Sequence, residues 1–281
     1  MTLETISTAK AHGGVQGVYR HASTATGTPM EFSVFVPDHA PGQTLPVVWY
    51  LSGLTCTQAN VTEKGEFRAA CAEHGLIFVA PDTSPRGADV PDDPEGAYDF
   101  GLGAGFYLDA TEPPFDRHYR MRGYLEDELP GVLAAHFPAD LTRQSIMGHS
   151  MGGHGALTLS LRNPGRYSAT SAFAPIVAPS SVPWGEKALA GYLGPDRAKW
   201  RDHDACAVIE AGARVPELLV DQGTADGFLE GQLRPHLLER ACDGTGINLT
   251  LRMQEGYDHS YFFISTFMPD HIAWHADRLR A

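Results

Sequence analysis

The sequence predicts an α/β fold in which a mainly parallel sheet carries helices on both faces. Three observations support this. First, short apolar runs recur at 47–51 (VVWYL), 76–80 (LIFVA) and 218–220 (LLV). They lack the in–out alternation of a half-wetted strand, and strands buried on both faces read this way. Second, helix-forming stretches alternate with these runs, as they do when parallel strands are joined by crossover helices. Third, residues 145–157 (SIMGHSMGGHGAL) pass from an apolar run through a glycine-rich turn into a helix-forming run, a strand–turn–helix pattern.

Composition narrows the possibilities. The chain has 281 residues and 43% hydrophobic content, enough for a large core. No repeat, linker or low-complexity tract divides it, so one domain over 1–281 is expected. No run of 18 apolar residues is present, which excludes a membrane-spanning helix. Residues 1–8 (MTLETIST) lack the basic region and apolar stretch of a signal peptide. Four cysteines, Cys56, Cys71, Cys206 and Cys242, stand far apart, which points to free thiols in a reducing cytoplasm rather than a disulfide scaffold or zinc knuckle. A net charge of −13 speaks against nucleic acid, because little here would neutralise phosphates. A small anionic substrate stays compatible, since it responds to local charge.

In chain order, residues 31–36 (EFSVFV) alternate with period two and stop at Pro37, an early half-buried strand. The run 47–51 opens into a small-residue loop, 52–57 (SGLTCT). A helix is expected over 62–74, ended by Gly75, and 76–80 is the next buried strand. Near 84–123 the periodicity is lost, yet Tyr98, Phe100, Phe106, Tyr107, Phe115 and Tyr119 punctuate the segment. Disordered segments are poor in aromatics, so this reads as an ordered excursion over the sheet edge. A helix near 124–137 leads into the strand that ends at Met147. After the next helix come Asn163-Pro164, a short strand at 171–175 and a second irregular excursion near 176–213. Then follow the strand ending at Asp221, a helix at 229–242, a last strand at 248–253 and a closing helix at 264–280.

Within the third signal, Gly148-His149-Ser150-Met151-Gly152 fits G-x-S-x-G. A serine on a sharp strand-to-helix turn sits in a strained conformation, so its neighbours two residues away must be nearly free of side chain. Such a turn lifts the hydroxyl clear of the sheet. A serine alcohol needs a base to take its proton and an acid to orient that base. In the α/β-hydrolase arrangement these follow in the order serine, acid, histidine, each at the carboxyl end of a strand. Asp226, in the loop after the strand ending at Asp221, is favoured as the acid over Asp221 itself. His259, in 256–261 (GYDHSY) after the last strand, is the base. The oxyanion donors are then the amides of Met151, directly after the nucleophile, and Leu54, in the loop after 47–51.

Competing constellations are thin. His271 and His275 stand four apart on the closing helix without a third ligand, and a surface helix is expected there. Asp89, Asp92, Asp93 and Glu95 lack the spacing of a calcium loop and read as solvated. His149 and His154, flanking the serine, read as packing. No phosphate loop or dinucleotide fingerprint is present.

Further blocks extend the pattern: 51–57 (LSGLTCT), 80–87 (APDTSPRG), 148–157 (GHSMGGHGAL), 183–188 (PWGEKA), 221–223 (DQG) and 256–263 (GYDHSYFF). Together they resemble the S-formylglutathione hydrolase, or esterase D, family from about residue 16 to 275. One departure is 178–182 (APSSV), where that family has Asn-Pro and Cys-Pro character before Trp184-Gly185. The resemblance implies an α/β-hydrolase fold and hydrolysis of S-formylglutathione to formate and glutathione, the second step of glutathione-dependent formaldehyde removal. It implies Ser150, Asp226 and His259 as the triad, turnover without cofactor or metal, a cytoplasmic setting and a homodimer. Cys56 matches a family cysteine whose oxidation or alkylation impairs activity. Trp184 is a candidate wall of the acyl pocket, and a broad short-chain carboxylesterase is the alternative activity.

Overall fold

The computed structural model describes residues 2–280. Its centre is a nine-stranded sheet in the order β1-β2-β3-β5-β4-β6-β7-β8-β9. The first three strands, β1 (Glu4–Lys10), β2 (Gly14–Ala22) and β3 (Pro29–Pro37), pair antiparallel, and β3 joins β5 antiparallel as well. The remaining pairings, through β4 (Leu45–Leu51), β5 (Ile77–Pro81), β6 (Ala139–His149), β7 (Thr170–Phe173), β8 (Glu217–Gly223) and β9 (Asn248–Gln254), are all parallel. Every residue of β4, β5 and β7 is buried, as the unalternating apolar runs require. This is the α/β-hydrolase fold.

Two expected helices are broken, each for a local reason. The stretch read as one helix over 62–74 is α1 (Gln58–Lys64) followed by α2 (Arg68–His74). Glu66 between them has a positive φ of 53°, and the kink drives Phe67 into the core, stacked on Phe78 with ring centroids 3.8 Å apart. In the second case, the 229–242 helix splits at Arg234, which is left-handed at φ 48°. Pro235 follows, and a residue before proline is kept out of the helical region.

The first excursion is ordered around its aromatics. Phe106, Tyr107 and Tyr119 are fully or almost fully buried, and Phe115 and Tyr119 pack on Tyr192 from the other excursion. It ends in a short helical turn, α3 (Met121–Gly123), a π turn at Tyr124–Glu128 and α4 (Leu129–His136). Helix α5 (Met151–Arg162) follows β6 and is buried along almost its whole length. The second excursion is more regular than its glycines and prolines suggest. It contains α6 (Pro183–Leu193), α7 (Arg197–Trp200) and α8 (Ala205–Glu210). Helix α9 (His236–Cys242) precedes β9, and α10 (Tyr261–Arg280) closes the chain.

The closing helix does show one face to solvent, but His271 and His275 stand on its other face. Both are fully buried, on the stripe of α10 that also buries Ile264, Met268, Ile272 and Leu279. His271 Nδ1 lies 2.8 Å from Ser171 Oγ on β7, and His275 Nε2 lies 2.8 Å from the same oxygen. One serine hydroxyl thereby joins the closing helix to the centre of the sheet.

These two imidazoles, with His149 and His154, form a buried set whose pKa values are lowered, chiefly by burial, His154 to about 4. The unfolded chain takes up protons near pH 6.5 while the folded chain resists them, so stability is lost as pH falls through 6.5. Each histidine should remove about 1.4 kcal/mol per pH unit until its folded pKa is reached. Urea unfolding at pH 7.5 and pH 5.5 should therefore show a clearly lower midpoint at the acid value; equal midpoints would contradict this.

Candidate active site

Backbone contacts at the end of β6 force the turn. A β-carbon at Gly152 would stand 1.9 Å from the Leu51 carbonyl oxygen, and one at Gly148 would stand 2.2 Å from the Gly152 oxygen. No side chain fits at either place. Between them Ser150 has φ 58° and ψ −118°, a region that non-glycine residues rarely occupy. A β-carbon on Gly53 would lie 3.1 Å from that of Ser150, so the loop after β4 rests directly on the serine. That loop carries Leu54. Met151 opens α5, where a first-turn amide has no carbonyl one turn behind it inside the helix.

The two later loops are laced together. Thr224 N–H donates to the Gln254 carbonyl and Ala225 N–H to the Tyr257 carbonyl, at 3.0 and 2.9 Å. A β-carbon on Gly223 would approach the Tyr257 oxygen to 2.3 Å, so glycine is needed where β8 meets the second loop. The lacing brings His259 Nδ1 to 2.6 Å from Asp226 Oδ2, with the carboxylate fully buried. Asp226 Oδ1 accepts from Phe228 N–H at 2.8 Å, and Oδ2 also accepts from Gln222 Nε2 at 3.1 Å. Sequence inspection passed over Gln222, although a glutamine closing a buried apolar strand is itself a signal.

Asp221, the other carboxylate weighed from sequence, faces elsewhere. It is fully buried and takes both arms of Arg252, at 2.5 and 2.7 Å, with His271 Nε2 at 3.5 Å. Burial alone would raise its pKa, but the imidazole of His271 and the guanidinium of Arg252 beside it hold it below the usual value. Asp221 thus fastens β9 and α10 to β8.

Ser150 and His259 line one cavity of about 170 Å³ with Gly53, Leu54, Cys56 and Trp184. Tyr98 and Phe228 complete its aromatic side. Rings run in a row from rim to base, Tyr98 to Trp184 at 6.2 Å, Trp184 to Phe228 at 4.7 Å and Phe228 to His259 at 5.1 Å. Larger depressions, about 740 Å³ beside Gly244 and about 610 Å³ beside Arg117, lie open to solvent and bring no serine and histidine together.

His149 is no mere filler. Its ring stands 4.4 Å from that of His259 on the cavity wall, and neither of its buried nitrogens has a hydrogen-bond partner among the described residues. Burial, then the neighbouring His259, keeps it neutral. His154, by contrast, is packed in the interior with Nε2 3.2 Å from the Phe106 carbonyl. The acidic cluster is not simply solvated either, because Asp93 is nearly buried and pairs with Lys187 at 2.7 Å. Cys56 is buried beside the cavity, and burial raises its thiol pKa.

Comparison with known proteins agrees with this architecture. The family model described as "Putative esterase" matches residues 23–274. The S-formylglutathione hydrolase of Paracoccus denitrificans is 50% identical over 99% of this chain and 100% of its own length. The mouse enzyme of the same name is 48% identical over the full length of both. Among solved structures, an S-formylglutathione hydrolase from Agrobacterium tumefaciens superposes with a TM-score of 0.97 at 60% identity, covering 98% of this chain and 99% of that one. A ferulic acid esterase at 15% identity and a TM-score of 0.74 shares the fold. The protein is a hydrolase of the esterase class. Within that class, the chain belongs to the S-formylglutathione hydrolase family.

The two aspartates should separate cleanly by mutation. Asp226→Asn should keep the fold and lower kcat by about 10³- to 10⁴-fold, the scale of losing an orienting acid. Asp221→Ala should instead cost about 3–5 kcal/mol of stability by stranding its buried partners, with the activity of the folded fraction largely kept. Circular dichroism melts and kcat per folded molecule check both; the opposite pattern would exchange their roles.

Proposed function

We propose that this protein hydrolyses S-formylglutathione to formate and glutathione through a covalent formyl-enzyme on Ser150, with His259 as base and Asp226 as the acid that orients it. The observation that carries this is the single cavity shared by a strained serine and a histidine whose Nδ1 is held 2.6 Å from a buried carboxylate. The names of the relatives at about half identity support the choice of substrate.

In the first half-reaction Ser150 Oγ attacks the thioester carbonyl carbon while His259 Nε2 takes the hydroxyl proton. Asp226 on Nδ1 fixes the tautomer and stabilises the imidazolium that forms. The negative oxygen is received by the amides of Leu54 and Met151, and one such donor is worth about 2.7–4 kcal/mol. Collapse of the intermediate breaks the C–S bond, and the imidazolium returns its proton to the sulfur. A thiol of pKa about 8.5 leaves readily. Water then enters, gives its proton to His259, attacks the formyl ester and releases formate, restoring Ser150.

A cavity of about 170 Å³ walled by Trp184 and Phe228 suits a small acyl group, with the glutathione portion extending outward. The same small cavity also supports the alternative of a short-chain carboxylesterase. The free cysteines support a reducing, cytoplasmic setting. We include in the proposal one catalytic domain over the whole chain, turnover without metal or cofactor, and a homodimer, which sedimentation equilibrium tests.

Ser150→Ala should lose activity on S-formylglutathione by at least about 10³-fold without a change in melting temperature. In the parent, kcat/KM for S-formylglutathione should exceed that for simple acetyl esters. A preference for the acetyl esters by orders of magnitude would instead favour the carboxylesterase.

Cys56 gives a second test. Burial holds back its thiolate, the reactive form, so iodoacetamide should inactivate slowly at pH 7 and faster as pH rises. Cys56→Ser should abolish that inactivation; equal inactivation of parent and variant would place the sensitive thiol elsewhere.

A further inference from the structure

The two excursions meet at one ammonium group. Lys187 lies on α6, three residues after Trp184, and its Nζ is 2.7 Å from both Asp93 Oδ2 and Asp99 Oδ1 on the first excursion. The Asp93 side chain is 5% exposed and that of Asp99 18%, so neither carboxylate can be fully hydrated where it stands. Two carboxylates gathered around one point repel each other unless a cation lies between them. Tyr98, the neighbour of Asp99, is the rim ring of the cavity and stands edge-on to Trp184.

We infer that Lys187 is a positioning residue that limits the size of the acyl group admitted to the cavity, by clasping Asp93 and Asp99 and so holding Tyr98 and Trp184 closed over Ser150. This rests on the proposed role of the cavity as the acyl site. Removing the ammonium leaves two like charges that are nearly buried and unpaired, and the segment bearing them must swing outward to reach water. Tyr98 moves with it. Trp184 then loses its edge contact, and the row of rings ending at His259 is no longer braced at the rim.

The rest of the excursion is tied down without Lys187. The Tyr192 hydroxyl accepts from Gly101 N–H and donates to the Ala104 carbonyl, each at 2.9 Å, and Thr111 N–H donates to the Tyr192 carbonyl at 2.7 Å. Loosening is therefore confined to the segment around 92–99, and the fold survives.

The test measures kcat/KM for p-nitrophenyl acetate and p-nitrophenyl butyrate in the parent, Lys187→Gln and Lys187→Arg. A closed apolar pocket discriminates by roughly 10- to 200-fold per methylene. The butyrate-to-acetate ratio should rise by about 10-fold in Lys187→Gln, whereas Lys187→Arg, which keeps a cation between the carboxylates, should stay near the parent. A merely structural clasp would lower the melting temperature and leave the ratio unchanged, so folded Lys187→Gln with the parental ratio overturns the inference. If Lys187→Gln does not fold, the double variant Lys187→Gln, Asp93→Asn removes the more buried charge and still leaves Asp99 without its cation. Its ratio should rise, and an unchanged ratio is equally fatal. Ser150→Ala separates the two levels: an active Ser150→Ala removes the acyl-site assignment and this inference with it. An inert Ser150→Ala beside an unchanged Lys187→Gln ratio removes this inference alone.

Discussion

The architecture of the site depends on the absence of two β-carbons. Where β4, β6 and α5 converge, the carbonyl oxygens of Leu51 and Gly152 fill the space that side chains at 152 and 148 would need. That contact locks the end of the central strands against the start of the helix and leaves Ser150 no ordinary backbone conformation. It also sets Gly53 against Ser150, so the loop bearing Leu54 is positioned by the same crowding that strains the serine. A rigid turn of this kind is prepared before any substrate arrives, which is what electrostatic stabilisation of a developing oxyanion requires.

The proposed acid and base are placed by different means. Each stands in a loop beyond a strand end. The precision comes from backbone hydrogen bonds between the two loops and from Gly223, whose missing side chain lets Tyr257 approach. Two buried aspartates five residues apart then serve opposite purposes. Asp221, held by Arg252 and His271, anchors the edge of the sheet, while Asp226 turns one oxygen to both His259 and Gln222. Burial is common to both, and the partners decide what each carboxylate does.

Much of this was legible in the sequence because burial on both faces leaves a plain trace. The central strands lie where the apolar runs stand, and the glycines at 148 and 152 announce the turn. The strands β1 and β2 were missed: β1 (ETISTAK) is exposed along its whole length, so backbone pairing holds it without leaving an apolar period. The glycines of α6 give it the look of irregular chain. Gly185 is there because Pro179 approaches to 2.1 Å of its absent β-carbon, and Gly191 because the Phe100 ring lies across it. Close packing, not a turn, selected them. His271 and His275 were misjudged by chemical type although they share the apolar stripe of α10. Lys187 joining Asp93 and Asp99 could not be foreseen, since the partners are about ninety residues apart and belong to segments without periodicity.

The order in which the site is filled along the chain has a consequence for biosynthesis. The strands β4 and β6 stand in the middle of the sheet, and β9, the strand before His259, comes last of the nine in the chain, with α10 after it. A domain generally folds as a unit, so the elbow and its neighbouring loop are expected to set only once the segment that carries His259 has been made. On the proposed assignment, hydrolytic competence arrives together with α10, when His271 and His275 seal onto Ser171 and the sheet is complete.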